Sequence, residues 1–450
     1  MEDLKRLFRK GSFLLILLCL AVAAGNFFKG FEEDKGRKQP EESWEPAMEI
    51  SGSAATGNPG AADKGEEPSL AESREDNDKK GRWEKGYDLP VDENERKEAE
   101  ADLRAALELT RDIYQEADKG DASNVVLSEE VLIQLKEKLK TMGMPVTGSE
   151  PYQVMENWQE MERFLQDAGV GKAGTVLLYR IHRDGGIGRF QYQYDGENLY
   201  VLAANMTWGK DETPMPAYIS YTRIKEWRYT EKGYFCYELC VPEPPEVSEI
   251  VDGSCLVRVR PLPQECREMS EKCVLPLGYQ GNNLLCSNWD RESLDKLDYN
   301  GIYEYFYGMK YDKRFEPEQY PHGIPAEEFE DTIMDYLPVS REEIRQWAVF
   351  DEGRQVYRWE RLGCGNYAPS FFGTSVPEVT QIRENEDGTF TLTVDAVCQM
   401  ILCNDAVITH ELTIRCLENG GIQYLGNQIL DDGMRNIPEY QYRTGISIQS

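Results

Sequence analysis

Histidine is scarce: His182, His322 and His410 are the only three in 450 residues. Multi-histidine metal sites and most His-driven mechanisms therefore have few places to stand. Positive charge is also short, with 50 basic against 81 acidic residues and a net charge of -31. A phosphate backbone would be repelled, so nucleic acid is not an expected partner. None of the eleven cysteines stands in a CxxC pair, which disfavours clustered zinc ligation. No complete catalytic signature occurs. Ser293-Leu294-Asp295-Lys296 lacks the companion motifs of a serine acyl enzyme, His410-Glu411 opens a zinc-protease pattern that Ile414 breaks, and Gly171-Lys172 is followed by Ala173 without the earlier glycine of a phosphate loop. No cofactor and no metal are expected. What is present is 40% hydrophobic residues, enough for real cores and for two or three domains.

The strongest local signal lies in residues 1–28. Lys5, Arg6, Arg9 and Lys10 precede an uncharged apolar run from Phe13 to Ala24, the pattern of an export segment. The run falls short of the roughly 20 residues that span a bilayer as a helix. Small residues from Ala21 to Gly25 suit cleavage, whereas Phe27 and Phe28 suit an uncleaved anchor, so both readings stand. Either way the rest of the chain is expected outside the cytoplasm, secreted or tethered, touching membrane only through this segment. Residues 29–95 are rich in Glu, Asp, Lys, Gly, Ser and Pro without apolar periodicity, and read as a disordered acidic linker. The ten cysteines beyond the leader are even in number, which invites disulfides outside the cytoplasm. Buried free thiols packing as small hydrophobes are the equal alternative.

The body reads as an α+β protein of two domains, 96–262 and 323–430, joined by a connecting region 263–322 and followed by a tail, 431–450. Leu103, Ala106, Leu107, Thr110 and Ile113 recur at helical spacing, as do Val131, Leu132, Leu135 and Leu139, and then Met155, Trp158, Met161 and Leu165. The period then changes to two, with strands near 175–182, 189–194, 199–206, 217–229, 234–241 and 255–260 punctuated by Asp-Gly and Lys-Gly turns. Such short turns predict an antiparallel meander. The order repeats: Ser340-x-x-Glu343 is a capping box between two helices, and alternating strands follow from 376 to 429. Helices laid on a strongly curved meander resemble the cone of the nuclear-transport-factor-2-like fold, whose concave face often forms a pocket. Tyr299, Tyr303, Phe306 and Tyr307 read as a core helix face rather than a sugar-stacking platform.

The polar set that stands out is Asp395, His410 and Glu411, the candidate ligand-binding residues. Alternation places Asp395 with Thr391 and Thr393, Glu411 with Thr409 and Thr413, and His410 on the apolar face with Leu412 and Ile414. A His410–Asp395 dyad would need a bulge, and Asp395 and Glu411 are expected on the solvated side. Arg180 beside His182 on one strand face forms a second candidate clamp. Glycan hydrolysis by a carboxylate pair is the enzyme alternative. The leading expectation is a non-enzymatic module that binds a ligand or an envelope protein.

Several stretches resemble an uncharacterised family of exported or membrane-anchored proteins of anaerobic Gram-positive bacteria. They are Ile324-Pro325-Ala326-Glu327-Glu328-Phe329-Glu330, Pro377-Glu378-Val379, the run from Asp387 to Val397, His410-Glu411-Leu412-Thr413 and Tyr424-Leu425-Gly426-Asn427. The resemblance covers mainly 324–430. It implies a location and an extent, and brings no activity with it.

Overall fold

A computed structural model describes residues 81, 83–120, 124–148, 154–248, 250–363, 370–398 and 406–443. The leader, most of the acidic linker, Cys19, Cys364, Cys403 and the end of the tail lie outside these residues. The architecture is α+β. Helices α1 (Glu93–Glu116) and α2 (Glu129–Lys140) come first. Asp92 and Glu95 close a capping box on α1, and Ser128 caps α2 by accepting from the Val131 amide.

A seven-stranded sheet follows in sequential order: β1 (Val146–Gly148), β2 (Gly174–Ile181), β3 (Ile187–Tyr194), β4 (Leu199–Trp208), β5 (Pro214–Tyr229), β6 (Tyr234–Leu239) and β7 (Ser254–Arg258). From β2 to β7 every pair is antiparallel, as the short turns predict. The edge differs, because β1 pairs with β2 in parallel and helix α3 (Trp158–Gly169) makes the crossover between them. The sequence shows α3 but not β1, since three residues are too few to establish a period of two.

Alternate residues of this sheet feed two cores. Tyr179, Ile181, Ile187, Ala204 and Met206 are buried against the stripe of α1 and α2 that includes Leu103, Leu107, Leu135 and Leu139. Val176, Leu178, Tyr192, Leu199 and Val201 point the other way, towards Phe164 and Leu165 of α3 and Phe235, Tyr237 and Val257 of β6 and β7. This second face is concave. The hydroxyls of Tyr192 on β3 and Tyr237 on β6 are 3.1 Å apart, whereas strands three places apart in a flat sheet would be separated by about 14 Å. Register shifts leave an extra residue on β5 at Ala217 and again at Lys225, and such bulges raise local twist and bending.

The remaining elements share one core. Helix α4 (Gln264–Met269), α5 (Tyr299–Tyr311), α6 (Ala326–Tyr336) and α7 (Arg341–Trp347) precede and flank two further sheets. A small antiparallel sheet holds β8 (Ile324–Pro325), β9 (Phe350–Asp351) and β10 (Val356–Tyr357), with β10 central. Beside it lies a four-stranded antiparallel sheet of β11 (Val376–Glu384), β12 (Phe390–Val397), β13 (Thr409–Cys416) and β14 (Ile422–Ile429). Residues 263–322, read from the sequence as a connection, are part of this core: Met269, Cys273, Leu284, Tyr303 and Phe306 pack in one cluster with Phe329, Leu392, Ile414 and Tyr424. The tyrosine-rich piece is accordingly a core helix. Tyr303 stacks on Phe329 at 4.8 Å between ring centroids, and Phe329 on Tyr357 at 4.0 Å.

The described cysteines are free thiols. Burial pushes the Cys266 thiol up to about 11 and the Cys273 and Cys286 thiols up to about 12, away from the reactive thiolate. Mass mapping after iodoacetamide treatment should find these three unmodified in the native protein and modified in guanidinium without reductant. A requirement for reductant would show that they are paired instead.

Candidate functional site

The polar set of the last sheet does not converge. Asp395 lies opposite Thr409 across β12 and β13, while His410 lies opposite Val394, so the two side chains leave the sheet on opposite faces. His410 is fully buried. Its Nδ1–H donates to Asn427 Oδ1 at 2.6 Å, and its Nε2 accepts from the Tyr279 hydroxyl at 2.9 Å. Burial lowers its pKa to about 4, with the Asn427 bond opposing, so the ring is neutral. It is the hydrogen-bonded histidine of an apolar face.

Asp395 corrects the expectation of a solvated position, being only 1% exposed. The reason is long-range: the turn between β5 and β6 covers that face of the second sheet. Lys232 of this turn donates to Asp395 Oδ2 at 2.7 Å, and Thr409 donates to Oδ1 at 2.6 Å. Directly opposite Asp395 on β11 stands Glu378, which accepts from the Tyr234 hydroxyl and the Arg258 guanidinium. Burial raises the Glu378 carboxyl, with Asp395 adding to the shift and Arg258 and Tyr234 opposing it. The Tyr234 hydroxyl is pushed well above its ordinary value by burial and then by Glu378. The sequence offered no signal for this group, because Tyr234 and Arg258 are 144 and 120 residues from Glu378.

Glu411 is on the wetter part of the sheet. It faces Arg383 at 3.7 Å and, with Trp289, Ser293, Lys296 and Gln428, lines a shallow groove of about 390 Å³. A cleft of about 400 Å³ beside the small sheet is lined by Phe315, Tyr320, Tyr357 and Trp359. Both volumes suit small ligands. In the aromatic cleft, however, the Tyr320 and Tyr357 hydroxyls donate to Glu328 and Glu330, and Arg354 and Arg358 are paired with Asp351 and Glu360.

The concave face of the rolled sheet is different. Its apolar end is filled by the core around α3, and its other end carries a polar row. Arg180, Gly188, Asn205 and Tyr218 are successive cross-strand partners on β2, β3, β4 and β5. Arg180, His182, Phe190 and Asn205 are each half-buried, in contrast to the closed residues on the opposite face. His182 Nε2 is 3.2 Å from Asn205 Oδ1. An amide oxygen only accepts, so Nε2 carries the proton and the Asn205 NH2 remains a donor. The Arg180 guanidinium lies 5.0 Å from the centre of the Phe190 ring and makes no hydrogen bond or ion pair with any described residue. The Arg180–His182 pair was legible from strand alternation; its partners on β3 and β4 were not.

Among the described residues no group of three or more His, Cys, Asp or Glu side chains is placed to hold a metal ion. The fold and these recesses define a mixed α+β protein with a half-open, polar-lined concavity. Residues 96–443 match the model of a family of unknown function (DUF6070), and the chain belongs to that family. The match reaches well beyond the 324–430 stretch that carried the resemblance. Comparison with curated proteins and with solved structures gave no match.

His410 binds its proton only below the pH at which the unfolded chain does. Its contribution to stability is therefore full above the unfolded value near 6.5 and is lost as pH falls towards the folded value of about 4. Urea unfolding at pH 7 and pH 5 should show a fall that is about 2 kcal/mol smaller in His410→Gln than in the wild type. Equal falls would contradict a buried neutral ring.

Proposed function

We propose that the chain is a non-enzymatic recognition protein acting outside the cytoplasm, with the concave face of the rolled sheet as its binding surface. One observation carries this reading. The side chains best suited to acid–base chemistry, Asp395, Glu378 and His410, are buried and spent on internal partners, while the concave face keeps a polar row half-open. The basic-flanked apolar leader supports export, and the resemblance supports the envelope of an anaerobic Gram-positive bacterium.

The rival, a cell-envelope glycan hydrolase, has one observation in its favour: Glu378 and Asp395 stand opposite each other and the Glu378 carboxyl is raised, as an acid catalyst requires. Against it, the pair is covered by Lys232, Tyr234 and Arg258, so a sugar has no approach to it.

Incubation with purified peptidoglycan should release no reducing ends. Turnover that disappears in Asp395→Asn, with the circular dichroism spectrum unchanged, would establish the hydrolase instead. In intact cells of the source organism, added protease should degrade the folded part; retention in the cytosolic fraction would overturn the placement.

A further inference from the structure

We propose that the polar end of the concave face binds a small ligand through a single carboxylate, with Arg180 as its charge partner and His182 and Asn205 beside it. The inference rests on the reading of this face as a recognition surface and adds the class of ligand. Its first support is electrostatic. In a chain with net charge -31, a half-buried guanidinium would ordinarily be neutralised by one of the many carboxylates. Arg189, whose backbone neighbours Gly188 but whose side chain leaves by the other face, shows the usual outcome: it is buried and its Nε donates to Asp102 at 2.9 Å. Arg180 has no such partner among the described residues, only the face of Phe190. A guanidinium so placed presents its planar donors to a planar acceptor, and a carboxylate meets two of them at once.

The second support is the floor of the recess. Gly188 stands directly opposite both Arg180 and Asn205. A Cβ at this position would lie 2.5 Å from Asn205 Oδ1, 2.8 Å from Phe190 Cε2 and 3.1 Å from His182 Nε2. Glycine in a strand interior weakens the strand unless something must approach closely. Here its missing side chain lets His182, Asn205 and Phe190 converge over bare backbone, beside Arg180. The ligand's charge follows from the count of cations. One arginine balances one negative charge, so a monoanion fits better than a phosphate dianion. Phe190 and the exposed Tyr218 at the rim favour an apolar body attached to that carboxylate.

The test uses the full chain with benzoate, its neutral isostere benzamide and inorganic phosphate as probes, followed by resonances of Gly188, Ala203 and Asn205 in amide NMR spectra. Benzoate should shift these resonances with millimolar affinity, benzamide and phosphate at least tenfold more weakly. Arg180→Gln should weaken benzoate at least tenfold, and Arg180→Lys less than that, with melting temperature confirming the fold of each. Gly188→Ala should abolish the shifts; should it fail to fold, His182→Gln provides the second variant and should weaken benzoate severalfold. Benzamide binding as well as benzoate, or benzoate binding unaltered in Arg180→Gln, would overturn the carboxylate class while leaving the face a recognition surface. Phosphate outcompeting benzoate would also overturn that class. No shift at the recess with any probe would overturn the carboxylate site, and if envelope peptides and glycan fragments also left these resonances unmoved, the recognition reading of this face would fall with it.

Discussion

The contact of Tyr192 with Tyr237 and Phe235, three strands away, is the constraint on which the first sheet depends. An antiparallel meander of six strands could remain an open, gently twisted surface with one wet face. Here the bulges at Ala217 and Lys225 let β5 bend, and the aromatic side chains of β3 and β6 close the interval. Rolling divides the concave face into two regions. Where α3 and the aromatic residues meet, the face is a packed core; towards the turn between β2 and β3, those apolar side chains do not reach. Arg180, His182 and Asn205 occupy that second region, so the same curvature that buries Tyr192 also encloses the polar row.

A different solution joins this sheet to the second one. Glu378 and Asp395 form a buried acidic pair, and burying two carboxylates side by side is costly unless cations and donors meet them. Lys232 comes from the β5–β6 turn, Tyr234 from the start of β6 and Arg258 from the end of β7, and they meet the pair only when that end of the sheet lies over β11 and β12. Apolar contact alone tolerates small slips between surfaces. Charged partners with fixed donor directions do not, so this group specifies how the turn sits on the sheet. This accounts for two carboxyl groups inside the molecule without assigning them chemistry.

The sequence displayed what depends on local periodicity and left out what depends on distant neighbours. The stripes of α1, α2 and α3, the capping box at Ser340 and the meander from β2 to β7 all follow from spacings within a few residues. Alternation correctly put His410 with Leu412 and Ile414, and Asp395 on the other face. It could not say that this other face is covered, because the covering turn lies 163 residues away from Asp395. For the same reason residues 263–322 read as a connection: apart from the helical spacing at Tyr299, Tyr303 and Phe306 their apolar side chains have no regular period, and only contact with β11–β14 shows that they complete a core. Gly188 was the missed local clue, a glycine inside an otherwise bulky strand, and such glycines commonly mark close approach.

The charge balance gives the Arg180 recess its character. A protein with 81 acidic residues surrounds an incoming anion with repulsion, but this long-range field is cut off within about 8 Å at physiological ionic strength. Inside the concavity Arg180 supplies a positive charge, and the packed aromatic residues on one side reduce the water that would otherwise screen it. The field of Arg180 there already acts on its neighbours, holding down the Tyr192, Tyr237 and Cys255 groups that burial drives up. An anion therefore meets repulsion outside and attraction inside. One guanidinium meets the two oxygens of one carboxylate and leaves any further anionic group without a partner, which makes a single carboxylate on a mostly apolar body the ligand this surface can select.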